Sequence, residues 1–163
     1  MTRPEITKFL SEMLVAQRFC GFKYWASEVT LNYGTINQKR VDFMQFEPKN
    51  TTVSGIEKGE FICYEVKSCL DDYKSGHGKN FEGDRNYLIM PMELYGDVRR
   101  DLDYYTGVMV PIPRGSTQQN EFNNPTPLDK SLLWDLTIVK NAHIKNRRYS
   151  TVELLFCMLR SGK

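Results

Sequence analysis

Apolar residues near the start of the chain recur with the spacing of an amphipathic helix. These positions are Ile6, Phe9, Leu10, Met13 and Leu14. Residues three and four apart lie on one face of a helix. Thr2 and Glu5 have the spacing of a capping box, and Gly21 is a stop signal. The pattern therefore predicts a helix from about residue 3 to about residue 19.

Three β-strand patterns follow this helix. Polar and apolar residues alternate over 28–33, as expected for a strand with one buried face. After a turn at 34–38, residues 41–46 form the second predicted strand. The stretch 47–60 is rich in Pro, Asn, Thr and Gly and predicts a loop. Residues 61–67 are apolar on both faces, which predicts a strand in the centre of a sheet.

The next part of the chain alternates between helix and strand. The polar segment 68–84 contains several glycines and precedes a short apolar strand at 87–90. Pro91 is suited to open a helix. Another apolar strand follows at 107–112. This order predicts an α/β (α+β) fold, in which helices flank a central mixed β-sheet.

The end of the chain predicts less sheet structure. Residues 113–130 have the composition of a long surface loop. Ser150 and Glu153 form a second capping box, which predicts a helix within a basic C-terminal extension at 131–163. A chain of 163 residues is most simply one domain, with its core at about 1–112.

Composition narrows the class of protein. Hydrophobic residues make up 40% of the chain and charged residues 26%, as in ordinary globular proteins. The sequence lacks an apolar run of about 18 residues and a secretory signal pattern, so neither a membrane span nor export is predicted. Its four cysteines form no CxxC pair. We therefore expect a cytoplasmic protein with reduced cysteines.

The net charge of +2 is unevenly distributed. Residues 137–163 carry six Lys or Arg and one acidic residue, whereas residues 1–136 have a net charge of −3. A basic segment on a near-neutral body is suited to contact phosphates. A solvated surface with a positively charged helix end explains the same pattern equally well.

The candidate chemistry lies in two of the predicted strands. Glu65 and Lys67 are two residues apart, so they project from the same face of their strand. Their neighbours Cys63, Tyr64 and Val66 make a buried charged pair costly unless it has a purpose. Asp42, in the preceding strand, supplies a second carboxylate. Two carboxylates and a lysine can hold a divalent cation and activate water. The alternative is an exposed Glu–Lys pair on an edge strand, without a function.

The order of these elements, with Asp42 followed by Glu65-Val66-Lys67, resembles the restriction-endonuclease-like PD-(D/E)xK phosphodiesterases. The resemblance covers about 1–112. The run from Tyr64 to Tyr73 is also similar to the MmcB-like group of small DNA-repair nucleases. Val41 stands where the family motif often has proline. The resemblance implies a restriction-endonuclease-like core, DNA as the substrate, and a homodimer as one possible assembly.

The resemblance also implies a division of roles. Asp42 and Glu65 would bind Mg²⁺ or Mn²⁺, together with the carbonyl of Val66, and Lys67 would orient the attacking water. The family often adds a glutamate from the first helix, for which Glu12 is a candidate because Glu5 serves as a cap. Further supporting candidates are Glu28 and Asp84, each of which is equally suited to a purely structural position.

Several basic residues are candidates for contacts with DNA phosphates, since Lys and Arg bind the backbone without reading sequence. They are Lys74, Lys79, Arg85, Arg147 and Arg148. The alternative for each is an exposed, solvated side chain.

Three functions compete at this point. The first is a metal-dependent nuclease acting on DNA. The second is a catalytically silent nucleic-acid-binding module, and the third is a protein-interaction module that uses the same fold as a scaffold. Retention of Asp42, Glu65 and Lys67 favours the first, because a silent module need not keep all three.

Overall fold

The computed structural model describes residues 1–76 and 81–163. Its elements in chain order are α1 (Arg3–Arg18), β1 (Trp25–Leu31), β2 (Lys39–Glu47), α2 (Val53–Glu57), β3 (Glu60–Val66), α3 (Leu70–Lys74), β4 (Arg85–Ile89), α4 (Met92–Val98), β5 (Gly107–Pro113), α5 (Gln118–Asn123), β6 (Trp134–Lys140) and α6 (Thr151–Ser161).

The described residues form one six-stranded sheet, whose strands lie in chain order from β1 to β6. The pairs β3–β4 and β4–β5 are parallel, and the other neighbouring pairs are antiparallel. The parallel pairs are joined through α3 and α4, since a parallel pair needs a crossover connection. The predicted mixed sheet with flanking helices is confirmed.

Helices cover both faces of this sheet. Leu10 and Leu14 of α1 pack with Tyr64 and Ile89 on one face. On the other face, α6 packs over β1, β2 and β3, and α4 packs over β4 and β5. Burial on both faces explains the apolar run Phe61–Tyr64 of β3. In the part of the chain that the structure describes, no helix has the length and apolar character needed to cross a lipid bilayer.

The sequence patterns predict no strand after residue 112, but Trp134–Lys140 forms one. This segment is β6, an edge strand paired antiparallel with β5. All of its residues after Asp135 are only partly buried, so its apolar residues do not form the continuous stripe that marks a central strand. The predicted helix within the extension is present, as α6, and Ser150 caps it by accepting from the N–H of Glu153.

The predicted surface loop at 113–130 contains the short helix α5. A buried carboxylate, that of Glu121, holds the loop together. Glu121 accepts hydrogen bonds from the hydroxyls of Ser116 and Thr126 and from the N–H of Thr126. Burial alone would raise the pKa of Glu121, but these hydrogen bonds outweigh it and hold the pKa below its ordinary value. Glu121 therefore joins the two ends of the loop as an anion.

The Glu121→Gln variant is expected to lose about 1–2 kcal/mol of the free energy of unfolding at pH 7. Because the folded pKa of Glu121 is lowered, its contribution is complete above the unfolded pKa and is lost as the pH falls through the folded pKa. Urea unfolding should show a clear difference in the free energy of unfolding between the wild-type chain and Glu121→Gln at pH 7, and a smaller difference at pH 3. Glu93→Gln, the same change at an exposed position of α4, is the control. A loss of unfolding free energy at pH 3 as large as the loss at pH 7 would contradict an ionic role for Glu121.

Candidate functional site

The β2 and β3 strands separate where the candidate residues lie. Their last paired residues are Phe43 and Tyr64, so Asp42 and Glu65 are the next residues beyond the end of the ladder. Instead of a backbone carbonyl, Oδ2 of Asp42 accepts the hydrogen bond from the N–H of Val66, at 2.9 Å. Oδ1 of Asp42 accepts no hydrogen bond within the described part of the chain.

A local backbone distortion accompanies this separation. Glu28 lies opposite Asp42 on β1, between the pairs Ser27–Phe43 and Val29–Val41, and it has a φ of +50°. Positive φ is uncommon for a residue other than glycine and changes the direction of the strand. The alternation of buried residues shifts phase on both strands at this point, since Val41 and Met44 are both buried. The backbone of β1 is therefore distorted at the position opposite Asp42, whose side chain reaches towards β3.

Glu65 and Lys67 are both buried. Glu65 is fully inaccessible, including both carboxylate oxygens, and its negative charge adds to burial in raising the pKa of the Cys63 thiol. Lys67 is 3% exposed, and its Nζ lies 3.9 Å from Oδ1 of Asp72. Burying a carboxylate or an ammonium group is costly unless opposite charges share the site. The alternative of an exposed Glu–Lys pair on an edge strand does not hold, because both side chains are buried and β3 lies inside the sheet.

An open cavity of about 750 Å³ lies against these residues. Its lining includes Asp42, Val66, Lys67 and Asp72, which supply carboxylates, a peptide unit and an amine, together with three further cationic side chains. These are Arg3, Lys39 and Arg40. Such a mixture of anionic and cationic groups suits a ligand that joins a metal cation to phosphate oxygens.

Asp72 connects the cavity to α1. Its Oδ1 lies 3.0 Å from Nη2 of Arg3, and its Oδ2 accepts from the N–H and the hydroxyl of Ser68. The sequence patterns assign neither Asp72 nor Arg3 a role in the site. The signal that could have found Arg3 is its four-residue spacing from Thr7, because both line the cavity from one face of the helix.

Lys39 is held at the cavity by Glu82. The Glu82 carboxylate forms ion pairs with Lys39 and with Arg148. Burial alone would raise the pKa of Glu82, but the hydrogen bonds from Arg148 and Lys39 outweigh it, and its pKa lies below the ordinary value. The adjacent basic residues Lys39 and Arg40, separated from Asp42 by Val41 alone, are the sequence signal that could have indicated this part of the site.

The three predicted supporting carboxylates do not join the cavity. Glu12 is exposed on α1 and pairs with Lys8. Glu28 lies at the rim, exposed, with Oε1 3.9 Å from Nη1 of Arg40. Asp84 lies at the opposite end of β3, where its Oδ2 accepts from the N–H of Phe61.

The predicted DNA-contacting residues are scattered. Lys74 is exposed at the end of α3, two residues before Gly76 of the cavity wall. Arg85 pairs with Glu60 at the start of β3. Arg147 is partly buried against Asp84, whereas Arg148 is 72% exposed beside Glu82. Lys79 lies outside the described residues.

A tight backbone contact keeps Asp84 away from the cavity. A Cβ atom on Gly83 would lie 2.8 Å from the carbonyl oxygens of Phe61 and Arg85, so only glycine fits where the chain crosses β3. Asn86 secures the crossing by exchanging two hydrogen bonds with the backbone of Gly83. The crossing fixes Asp84 near the start of β3, while the cavity lies at its other end.

The fold has a similar solved structure. It is the SPO1766 protein of unknown function from Silicibacter pomeroyi; the match has a TM-score of 0.56 and 16% sequence identity and covers 96% of this chain and 82% of that chain. No protein-family model matches the sequence, and no curated protein matches it. At 16% identity the likeness shows a common fold alone.

Proposed function

We propose that this protein is a metal-dependent phosphodiesterase that hydrolyses DNA. The observation that carries the proposal is that Asp42, Val66 and Lys67 line one cavity where β2 and β3 separate, with Glu65 buried next to Val66 in the chain. A structural ion pair explains a buried lysine, but it does not explain why three more cations, Arg3, Lys39 and Arg40, line the same cavity.

The oxygen donors fit a small, hard cation. Among residues 1–76 and 81–163, no three or more His, Cys, Asp or Glu side chains group as a metal site. Mg²⁺ in phosphoryl-transfer enzymes is nevertheless commonly held by one or two carboxylates, with waters and substrate phosphate completing its shell. Asp42 and Glu65, with the carbonyl of Val66, would hold Mg²⁺ or Mn²⁺. The bound cation would supply a water of lowered pKa and neutralise phosphate charge.

Lys67 is suited to act on the reacting phosphate. Its ammonium group is shielded from bulk water, so its interaction with developing negative charge is stronger than it would be on an exposed surface. Asp72, 3.9 Å from Nζ, orients the ammonium group. Lys67 would donate a hydrogen bond to the attacking water and offset charge on the phosphate oxygens.

The cationic wall accounts for the polymeric substrate. Arg3 comes from α1, and Lys39 and Arg40 come from β2, so two elements contribute cations to the cavity. Lys and Arg bind phosphate oxygens irrespective of base sequence. Three such cations beside Lys67 can neutralise more than one phosphate, which favours DNA over a single small phosphate ester.

The test is cleavage of supercoiled plasmid and of single-stranded DNA in Mg²⁺ or Mn²⁺, against EDTA. The wild-type chain should cut with metal and stop in EDTA. Asp42→Asn should lower the rate at least 10²-fold, because it removes a metal-binding charge. Glu12→Gln, the same chemical change at an exposed position of α1, should cut normally.

Two outcomes would oppose the proposal. Absence of cleavage by a folded wild-type chain on both substrates would reject catalysis, and salt-dependent DNA binding in that protein would then favour the silent binding module. Cleavage that persists in EDTA, or that is equal in Asp42→Asn, would place the reaction outside this cavity or in a contaminant.

A further inference from the structure

The outer face of α6 is an apolar surface that the fold leaves uncovered. The inner residues Leu154, Cys157 and Met158 pack against the sheet. On the opposite side, Val152, Phe156 and Leu159 are 77%, 61% and 82% exposed. Their spacing places them on one helical stripe. A helix that is apolar on both sides is normally covered on both sides.

The stripe continues onto the turn between β1 and β2. The guanidinium of Arg160 lies 4.3 Å from the ring centroid of Tyr33 and 5.9 Å from that of Phe156. Tyr33 is also exposed. We call Tyr33, Val152, Phe156 and Leu159 the α6 surface. Contiguous exposed apolar surface of this kind marks an interaction site more often than isolated apolar residues do.

The charged residues at the two ends of the stripe indicate which partner binds it. Glu153, exposed in the first turn of α6, lies three residues before Phe156, and Arg160, exposed in the last turn, lies four residues after it. Two copies of α6 packed antiparallel, with their Phe156 residues at the centre, bring each Glu153 beside Arg160 of the partner subunit. The same packing sets the positive end of each helix dipole beside the negative end of the other. The surface is therefore complementary to itself.

We infer that the protein forms a homodimer through the α6 surface, with α6 packed antiparallel on α6 of a second copy across a twofold axis. Such an interface is isologous, so each contact occurs twice. A lipid-binding helix would carry Lys and Arg along its polar flanks, whereas this stripe is bordered by one acid and one base. The inference does not depend on the proposed nuclease activity.

Sedimentation equilibrium across micromolar concentrations tests the inference. The wild-type chain, with a protomer mass of 19.0 kDa, should approach twice that mass as concentration rises. Phe156→Ser should shift the dimer to monomer, since central apolar residues dominate interfaces. Val53→Ser, at an exposed position of α2, should leave the mass unchanged. Circular dichroism should show each variant folded.

Charge reversal identifies the geometry. Glu153→Arg and Arg160→Glu should each weaken the dimer about tenfold or more, because each places like charges together. The double variant should recover most of that loss, because the pair is re-formed in reverse. A wild-type chain that is monomeric throughout overturns the inference and leaves the surface to another partner protein or to lipid. A dimer that survives Phe156→Ser, or that is not recovered in the double variant, also overturns it.

Discussion

Lys67→Met is expected to slow metal-dependent DNA cleavage by about 10²- to 10³-fold, the loss typical of removing one preorganised group from a transition state. Methionine keeps most of the buried stem but removes the ammonium group. Lys67 is 3% exposed, so water cannot readily replace the lost charge. The metal ligands remain, and the affinity for DNA should change little because Arg3, Lys39 and Arg40 are intact. Single-turnover cleavage measured beside DNA binding would separate the two effects.

Lys74→Met is the matched control for this experiment, because it removes the same group from an exposed position of α3 only seven residues away. It should cleave at nearly the wild-type rate. Equal slowing in both variants would mean that Lys67 contributes only general positive charge. Loss of folding in Lys67→Met, detected as a lowered Tm, would point to a structural ion pair with Asp72 instead.

The Arg147→Met variant is expected to lose about 2–3 kcal/mol of the free energy of unfolding, because it removes charged hydrogen bonds from a partly buried site. Nε of Arg147 lies 3.2 Å from both carboxylate oxygens of Asp84. Its other nitrogens donate to the carbonyl of Tyr149 and the hydroxyl of Thr151. Its guanidinium also packs over the ring of Phe61. Removing it leaves the partly buried carboxylate of Asp84 without this partner and releases the segment that leads into α6.

Urea unfolding of Arg147→Met beside Arg148→Met tests this assignment. The two residues are adjacent, but their side chains are 14% and 72% exposed, so the second variant should lose less than about 1 kcal/mol. Similar small losses in both variants would show that Arg147 does not anchor the C-terminal segment. Arg147 would then remain a candidate for contacts with DNA phosphates.

The local patterns predicted most of the sheet and the composition of the site. Asp42, Glu65 and Lys67 were identified because charged residues are unusual within apolar strands. This contrast can be read from the neighbouring residues along the chain. Asp72 and Arg3 did not stand out, because only the packing of α1 and α3 around the end of β3 brings them together. Propensity describes neighbours along the chain, whereas these contacts join distant segments.

The same limit explains the basic residues. Arg147 and Arg148 are indistinguishable by composition and by position, yet one points inward to Asp84 and the other outward. The edge strand β6 was missed although Trp134, Leu136 and Ile138 alternate with polar residues, the pattern of a half-buried strand; its partner β5 is adjacent only in the folded chain. Both distinctions depend on which partner segment is adjacent in space.

The carboxylate of Asp42 keeps the ends of β2 and β3 apart. It occupies the N–H of Val66, which would otherwise pair with the backbone of β2. An alanine at position 42 offers that N–H no acceptor, so the two strands would close by one more pair and narrow the cavity. An asparagine still offers an acceptor and keeps the strands apart. Truncation of Asp42 to alanine would therefore remove the carboxylate and change the shape of the cavity at once, whereas the isosteric amide removes the charge alone.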